Sequence, residues 1–539
     1  MDERTFLRRV SSASSSELIK LIVEANPEER QVLKVYLGSE LFDQLMVTAE
    51  RAATRAGGPK VGNIVVLHGI MGGELTLFNN DGQVTIWVNA LRLLQGQFDR
   101  LALDDDSGLS IRDVRASGIY MRFYARQIAS LGENWEVRPF FFDWRRDIRL
   151  AAEDLRNSVD SWFGPAAPVH LVAHSMGGLV ARCFIARHSE RWRTMWDPDG
   201  GKRGGRLLML GTPNYGSFAI PRLLFGNNDI VDVLSRINIA HFGDREFLLQ
   251  YIRTFTGVYQ MMPVRSKLPG LDILYQSRTY TATAVRQTHL DAAEVFQREI
   301  AAVIDPARMI YVAGYNRTTA AGIQDPDQLA TDSGYTFTRR GDGTVPHNLG
   351  LLDGVPTFYV DEEHSKLPQN NRVLNATTEL LQAGGVRDET NLFVGLAADV
   401  RGDATESQTE LRQGEARRRS VKEAQAEQLR QSLVAREGTA NADEVTPEEQ
   451  ALIDLLLGHD PEPQGATLTG ARADAAGPSP EPSAPVLDTI DLRVSVSHGD
   501  LRQARYPVAV GHYLEDTIIS ARLHSIKDFT ASGTLPRRG

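Results

Sequence analysis

The sequence AHSMGG, residues 173–178, decides the fold predicted for this chain. It follows the β-branched run VHLV (169–172) and precedes LVARCFIA (179–186), which has apolar residues at helical spacing. A serine between a buried strand and a helix is the setting of the G-x-S-x-G motif, where it occupies a sharp, strained turn. Small residues are needed two positions before and after the serine, because strand and helix pack closely there. Ala173 adds only one methyl group to the usual glycine, so the motif predicts Ser175 as a nucleophile.

Short apolar, β-rich runs alternate with helical stretches along residues 61–385. Such alternation predicts an α/β fold with a mostly parallel sheet buried on both faces. The six predicted strands are NIVVLHG (63–69), VRPFFFDW (137–144), PVHLVAHS (168–175), GRLLMLGTP (205–213), RMIYVAGYN (308–316) and PTFYVDEEHS (356–365).

Composition divides the chain into four predicted regions. Residues 1–57 form a helical N-terminal region, in which Asn26, Pro27 and Glu29 provide an N-cap, a first-turn proline and a capping-box glutamate. Residues 58–400 form the α/β domain, with the amphipathic segment 214–302 as a helical cap. Residues 401–485 contain a charged, solvated helix (405–437), a short helix from Thr446 to Gly458, and a flexible linker (459–485). Residues 486–539 form a small, strand-rich C-terminal module.

A serine hydroxyl needs a general base, and the base needs an orienting acid. Asp342 lies in a glycine-flanked turn, RGDGTVP (340–346), and His364 follows the last predicted strand. The chain order Ser175, Asp342, His364 is the order in which folds with this elbow carry their triad. The three residues are therefore predicted as nucleophile, acid and base.

Other residues compete for two of these roles. His68 and His174 are predicted to shape the loops around the serine, and His347 to be a polar surface residue of the Asp342 loop. Asp361, Glu362 and Glu363 are alternative acids, but their position on an extended strand end directs them away from His364. An oxyanion needs two aimed N–H donors. Met176 is one predicted donor, and Ile70, with Met71 as second choice, is the other, in the glycine-rich turn HGIMGG (68–73).

The remaining motifs are predicted to be structural. Asp143, Trp144 and Arg145 are expected to form a buried ion pair and aromatic at a strand end, and Cys183 to be a small buried residue. The chain has no H-E-x-x-H, no P-loop and no G-x-G-x-x-G after a strand, so neither a metal nor a cofactor is predicted.

Composition restricts the partners and the compartment. A net charge of −10 argues against binding to nucleic acid and against permanent docking on anionic lipid, although transient membrane contact is compatible with it. The single cysteine excludes an internal disulfide. With no apolar segment of 18 residues and no secretory h-region, the sequence predicts a cytoplasmic protein without a transmembrane segment.

Seven motifs together resemble a known family: HGIMGGEL (68–75), FDWR (142–145), AHSMGG, GTPNYGS (211–217), YQMMP (259–263), GDGTVP (341–346) and EHSKLP (363–368). They are similar to the lecithin:cholesterol acyltransferase-like branch of the α/β-hydrolases, in its bacterial lipase form, over residues 60–385. The resemblance implies Ser175, Asp342 and His364 as the triad of a serine esterase or lipase, with a glycerolipid or phospholipid acyl ester as substrate. The missing signal peptide and disulfides depart from the secreted members and argue against lipoprotein substrates.

Two alternative functions stay open at this point. An acyltransferase would pass the acyl group to an alcohol instead of water. A scaffold or effector of a bacterial multi-component system would act by docking a protein partner through residues 486–539, a segment similar to one in large bacterial proteins that carry caspase-like CHAT modules.

Overall fold

A computed structural model of the chain describes residues 2–55, 59–80, 82–104, 106–241, 243–280, 285–386, 393–394, 406–436 and 444–458. The predicted linker 459–485 and C-terminal module 486–539 lie outside the described residues.

The centre of the fold is a seven-stranded sheet. Its strands run in the order β12-β11-β8-β7-β6-β1-β5, and all neighbours pair in parallel except β12, which is antiparallel to β11. The strands of the molecule are β1 Asn63–Leu67, β2 Gly73–Asn79, β3 Gly82–Trp87, β4 Val114–Ile119, β5 Glu136–Phe140, β6 Val169–His174, β7 Leu207–Leu210, β8 Met309–Gly314, β9 Thr319–Ile323, β10 Tyr335–Thr338, β11 Thr357–Val360 and β12 Phe393–Val394. The six parallel strands are the six predicted from the sequence, so the α/β fold is confirmed.

Helices surround the sheet, because strands as apolar as β6 and β8 are buried on both faces. The α-helices are α1 Glu3–Ser12, α2 Ser15–Val23, α3 Pro27–Leu37, α4 Ser39–Arg55, α5 Ala90–Leu94, α6 Met121–Gly132, α7 Ile148–Phe163, α8 Met176–Arg187, α9 Ser189–Thr194, α10 Ala219–Phe225, α11 Asp229–Ile237, α12 Arg245–Ile252, α13 Thr256–Tyr259, α14 Gln287–Ile300, α15 His347–Gly350, α16 Asn371–Ala383, α17 Gln408–Arg436 and α18 Pro447–Leu457. Short 3-10 helices cover Gln97–Leu101, Ile239–His241, Leu271–Tyr275, Ser277–Thr279, Pro326–Gln328, Asp332–Gly334 and His364–Gln369.

Local capping signals start two helices where the sequence predicts them. The Asn26 side chain accepts the N–H groups of Glu28 and Glu29, and the Glu29 side chain returns to the Asn26 N–H, which completes a capping box for α3. The Thr446 side chain caps α18 by accepting the N–H of Glu449. Both predictions are confirmed.

The prediction of a solvated helix over 405–437 is wrong in one respect. A helix is present as α17, but five of its charged side chains form ion pairs with residues of α10 and α11 instead of being solvated. The ion pairs are Arg418 and Lys422 with Asp229 (both 2.9 Å), Arg419 with Asp232 (2.6 Å), Glu415 with Arg222 (2.9 Å) and Glu423 with Arg236 (2.5 Å). Each pair joins a charge on α17 to an opposite charge on α10 or α11, so the pairing compensates the cost of burying these charges.

None of the helices in the described ranges is long and apolar enough to cross a bilayer.

Candidate active site

Ser175 lies in the turn between β6 and α8, with φ 53° and ψ −125°, a conformation that a residue with a side chain rarely adopts. The glycines that follow allow the helix to approach the neighbouring strands. An added Cβ at Gly177 would lie 2.6 Å from the His68 carbonyl oxygen, and one at Gly178 would overlap the side chain of Thr212. Ala173 is fully buried in β6. Its methyl group is accommodated in this strand, whereas Gly177 and Gly178 have no room for one.

The three residues predicted as a triad form one hydrogen-bonded chain. His364 Nε2 lies 2.8 Å from Ser175 Oγ, and His364 Nδ1 lies 2.8 Å from Asp342 Oδ2. A carboxylate oxygen can only accept, so Nδ1 carries the hydrogen and Nε2 presents its lone pair to the serine hydroxyl. This is the arrangement in which an imidazole can take a proton from a serine.

The Asp342 carboxylate is held at both oxygens. Oδ1 accepts the backbone N–H groups of Thr344 (3.0 Å) and Val345 (2.7 Å), while Oδ2 is left for the imidazole. The His364 N–H also donates to the Asp342 carbonyl oxygen at 2.8 Å. Because Asp342 is almost fully buried, these bonds replace its lost hydration and leave the side chain one orientation.

Gly211 is the first residue of the motif GTPNYGS. Its φ is +58°, and an added Cβ would lie 2.9 Å from Asp342 Oδ2 and 3.0 Å from His364 Nδ1. Glycine is required here both by the backbone conformation and by the closeness of the aspartate and histidine.

The competing histidines have other partners. His68 is buried, which lowers its pKa to about 4; Nδ1 faces the Gly69 carbonyl at 2.7 Å and Nε2 accepts the Phe142 N–H at 3.2 Å. His174 Nε2 lies 2.9 Å from the backbone oxygen of His364. The prediction that His347 is a surface residue is wrong: it is buried, and its Nε2 lies 2.9 Å from the Gly314 carbonyl oxygen. The tight turn after Asp342 directs His347 inward against β8.

The alternative acids also point elsewhere. Asp361 pairs with Arg317 at 2.6 Å, Glu362 accepts from the Asn370 side chain at 3.0 Å, and Glu363 pairs with Lys366 at 3.1 Å. The structure therefore brings Asp342, and none of these three carboxylates, to the His364 ring.

The predicted oxyanion donors lie beside the serine. Gly69 is so close to it that an added Cβ would be 2.8 Å from Ser175 Cβ, and Gly72 closes the turn by donating to the Gly69 carbonyl at 3.1 Å. Among the described residues, no hydrogen bond uses the N–H of Ile70, Met71 or Met176. The assignment of two of these three groups as donors stays a prediction.

A cavity of about 200 Å³ opens onto Ser175 and His364. Much of its wall is apolar, formed by side chains from α6, the segment 213–261 and the C-terminal helices: Phe123, Pro213, Ile220, Leu223, Ile230, Met261, Leu456 and Leu457. Four of its charged members form ion pairs: Arg222 pairs with Glu415, and Asp229 pairs with both Arg418 and Lys422. The site is therefore a mainly apolar cavity with a serine and an imidazole at one wall.

Sequence reasoning missed the contribution of α17 and α18 to this cavity. Arg418 and Lys422 come from α17, Leu456 and Leu457 from the end of α18, and Gly458 from its C-cap, all more than 200 residues after the serine. The signal in the sequence was a pair of acidic residues, 229 and 232, together with a distant basic run at 417–422. A basic run of this kind is equally typical of a solvated helix.

Two smaller predictions are confirmed. Arg145 is fully buried, pairs with Asp143 at 2.6 Å, and donates to the carbonyl oxygens of Leu101 and Val114. Cys183 is a free, buried cysteine on α8.

The order of the parallel strands, with the strained serine after β6 and the aspartate and histidine after β10 and β11, defines an α/β-hydrolase fold. Comparisons with known proteins found no matching family model and no matching curated protein. Among solved structures, the chain is similar to one described as the Tle4–Tli4 complex, at 13% identity and a TM-score of 0.37 over 60% of this chain and 99% of that one. It is also similar to Bacillus licheniformis lipase BlEst2 in its mature form, at 14% identity and a TM-score of 0.29 over 60% and 94% of the two chains. The propeptide form of BlEst2 has 14% identity and a TM-score of 0.28, over 63% and 53%.

Proposed function

We propose that this protein is a serine hydrolase that cleaves acyl esters of lipids, with Ser175 as nucleophile, His364 as general base and Asp342 as the acid that orients it. The observation that carries the proposal is the pair of 2.8 Å contacts joining the three side chains at the wall of an apolar cavity.

The first half-reaction follows from this geometry. Ser175 Oγ attacks the ester carbonyl carbon while His364 Nε2 takes the hydroxyl proton, and the carbonyl oxygen becomes an oxyanion. Two of the N–H groups of Met176, Ile70 and Met71 stabilise that oxygen. The carbon–oxygen bond to the leaving alcohol then breaks, His364 returns its proton to the alkoxide, and an acyl group remains on Ser175.

Water completes the cycle by the same steps. His364 Nε2 takes a proton from the water as its oxygen attacks the acyl-enzyme, and it gives that proton back to Ser175 Oγ as the acid departs. Asp342 keeps its charge throughout and stabilises the imidazolium that forms twice in each turnover.

The apolar wall supports a lipid acyl ester as substrate class. An acyl chain that leaves water for such a surface gains about 0.8 kcal/mol for each buried methylene group, and a small polar ester has no such contribution. The motifs shared with the lecithin:cholesterol acyltransferase-like branch favour a glycerolipid or phospholipid, and that finer assignment is part of the proposal. A protein partner for residues 486–539 and a cytoplasmic location stay predictions.

Labelling by a fluorophosphonate tests the proposal, because the probe phosphonylates only an activated serine. Intact mass is measured for the wild-type chain and for Ser175→Ala, His364→Ala and His188→Ala. His188 is a matched histidine that does not line the cavity. We expect one adduct on the wild type and on His188→Ala, and none on the other two.

A folded wild-type chain that takes up no label would contradict the proposal, as would a label retained in Ser175→Ala. A panel of p-nitrophenyl esters with 4, 8 and 16 acyl carbons, followed by phosphatidylcholine and triglyceride, then tests the substrate class. Hydrolysis that does not rise with chain length would contradict a lipid substrate. Adding an alcohol acceptor and measuring the share of transferred product separates hydrolysis from acyl transfer.

A further inference from the structure

Two buried side chains outside the predicted triad connect the oxyanion loop to the catalytic histidine. The hydroxyl of Tyr124, on α6, accepts the Gly69 N–H at 3.0 Å and lies 2.9 Å from His174 Nδ1. On the other side of its ring, His174 Nε2 lies 2.9 Å from the backbone oxygen of His364. The path runs from the turn that holds Ile70 and Met71 to the residue that carries the base.

Each proton on this path has one possible position. The His364 carbonyl oxygen can only accept, so His174 Nε2 carries a hydrogen. Burial lowers the pKa of His174 well below its ordinary value, so the ring is neutral and Nδ1 has a lone pair. Tyr124 therefore donates its hydroxyl hydrogen to Nδ1 and accepts the Gly69 N–H with its oxygen.

We infer that Tyr124 and His174 are positioning residues, which hold the oxyanion loop and the backbone of His364 in register for the reaction of Ser175. The inference rests on the proposed function. Neither side chain transfers a proton in the mechanism; their effect is on the geometry of the groups that do.

The contacts make this coupling specific. Gly69 touches Ser175 on one side and is tied to Tyr124 on the other, so a shift of the tyrosine moves the turn that carries the donors. The His364 backbone is bonded at its N–H to Asp342 and at its carbonyl oxygen to His174. With both backbone groups held, the imidazole ring is directed to Ser175 Oγ without relying on the side-chain bonds alone.

The experiment compares Tyr124→Phe with Tyr275→Phe. Both remove a buried hydroxyl that makes two hydrogen bonds, but Tyr275 bonds to Pro263 and Gln297, and it does not line the cavity. kcat and KM are measured on a p-nitrophenyl ester, per active site titrated with fluorophosphonate, so that a loss of folded protein does not count. We expect Tyr124→Phe to lower kcat about 10- to 100-fold with KM within about twofold. Displacing the N–H donors weakens their bonds to the oxyanion of the transition state, whereas binding of the uncharged ester depends little on them. Tyr275→Phe should change neither constant by more than about twofold.

A second pair of variants tests the His174 end. Glutamine at this position retains an N–H that can reach the His364 carbonyl, whereas leucine does not, so His174→Gln should keep several-fold more kcat than His174→Leu. The positioning role is overturned if Tyr124→Phe retains kcat within about twofold, or if the glutamine and leucine variants are equally active. A wild-type chain with neither label nor turnover overturns the proposed function and this inference together. An active wild-type chain whose kcat is unchanged by Tyr124→Phe overturns the inference alone.

Discussion

Replacing Asp342 by asparagine tests the acid of the proposed triad, and the structure determines how the new amide must lie. The site of Oδ1 receives two backbone N–H groups, from Thr344 and Val345, so only the amide oxygen fits there. The reversed orientation would leave both N–H groups unpaired and buried, at a cost of about 2–6 kcal/mol in total. The amide NH₂ of Asp342→Asn therefore faces His364 Nδ1.

This orientation of the amide reverses the tautomer of the His364 imidazole. An NH₂ group can only donate, so Nδ1 becomes the acceptor and the hydrogen moves to Nε2, which then cannot take the Ser175 proton. In a triad, the wrong tautomer lowers kcat about 10⁴-fold, which corresponds to about 5.4 kcal/mol of activation free energy. KM should change little, because Asp342 is separated from the ester by the imidazole.

The assay is steady-state hydrolysis of a p-nitrophenyl ester, with the melting temperature recorded to show that each variant is folded. Asp361→Asn is the matched control, because it neutralises a nearby carboxylate that pairs with Arg317 and does not line the cavity; it should retain activity within about threefold. If Asp342→Asn kept more than about a tenth of the wild-type kcat, or if Asp361→Asn lost as much, the assignment of Asp342 would be refuted.

Three further predictions concern stability. Gly178→Ala should lower the free energy of unfolding by about 1–3 kcal/mol, because the new methyl overlaps Thr212, and Thr212→Ala should restore part of the loss. Burial raises the pKa of Glu74 from 4.5 to about 7, although the hydrogen bond from Tyr36 lowers it. The free energy of unfolding should therefore fall as the pH rises from 4.5 to 7, and Glu74→Gln should remove that fall of up to about 3 kcal/mol. The pKa of Glu415 is lowered to about 2, since the attraction of Arg418 and Arg222 outweighs burial; Glu415→Gln should therefore cost about 3–5 kcal/mol at pH 7, and the cost should shrink as the pH falls from 4.5 to 2.

Chemical denaturation over a pH series measures all three. A stable Gly178→Ala variant would mean that the contact with Thr212 relaxes without cost. Parallel pH curves for Glu74→Gln and the wild type would contradict a raised pKa of that carboxyl. A Glu415→Gln variant as stable as the wild type at neutral pH would show that the pairing of α17 with α10 contributes nothing net.

The sequence by itself determined those features that a few neighbouring residues encode. Apolar runs specified all six parallel strands, a capping box specified the start of α3, an N-cap threonine followed by proline specified the start of α18, and the small residues around Ser175 specified the strained turn. The chain order of Ser175, Asp342 and His364 predicts their roles. Ser175 and His364 follow the parallel strands β6 and β11, which end at one edge of the sheet, whereas Asp342 follows β10 of the two-stranded sheet, so the tertiary structure decided its approach.

Only the tertiary structure decided which surfaces meet. The sequence pattern of α17 predicts solvated charges, because the partners of these charges on α10 and α11 lie about 190 residues earlier in the chain. The pattern also predicts an exposed His347, and it indicates neither Tyr124 nor the contact of His174 with His364 as part of the site. A lysine or a tyrosine has the same local pattern whether it meets water or a distant partner, because its hydrogen bonds and ion pairs depend on neighbours in space, which residue periodicity does not encode.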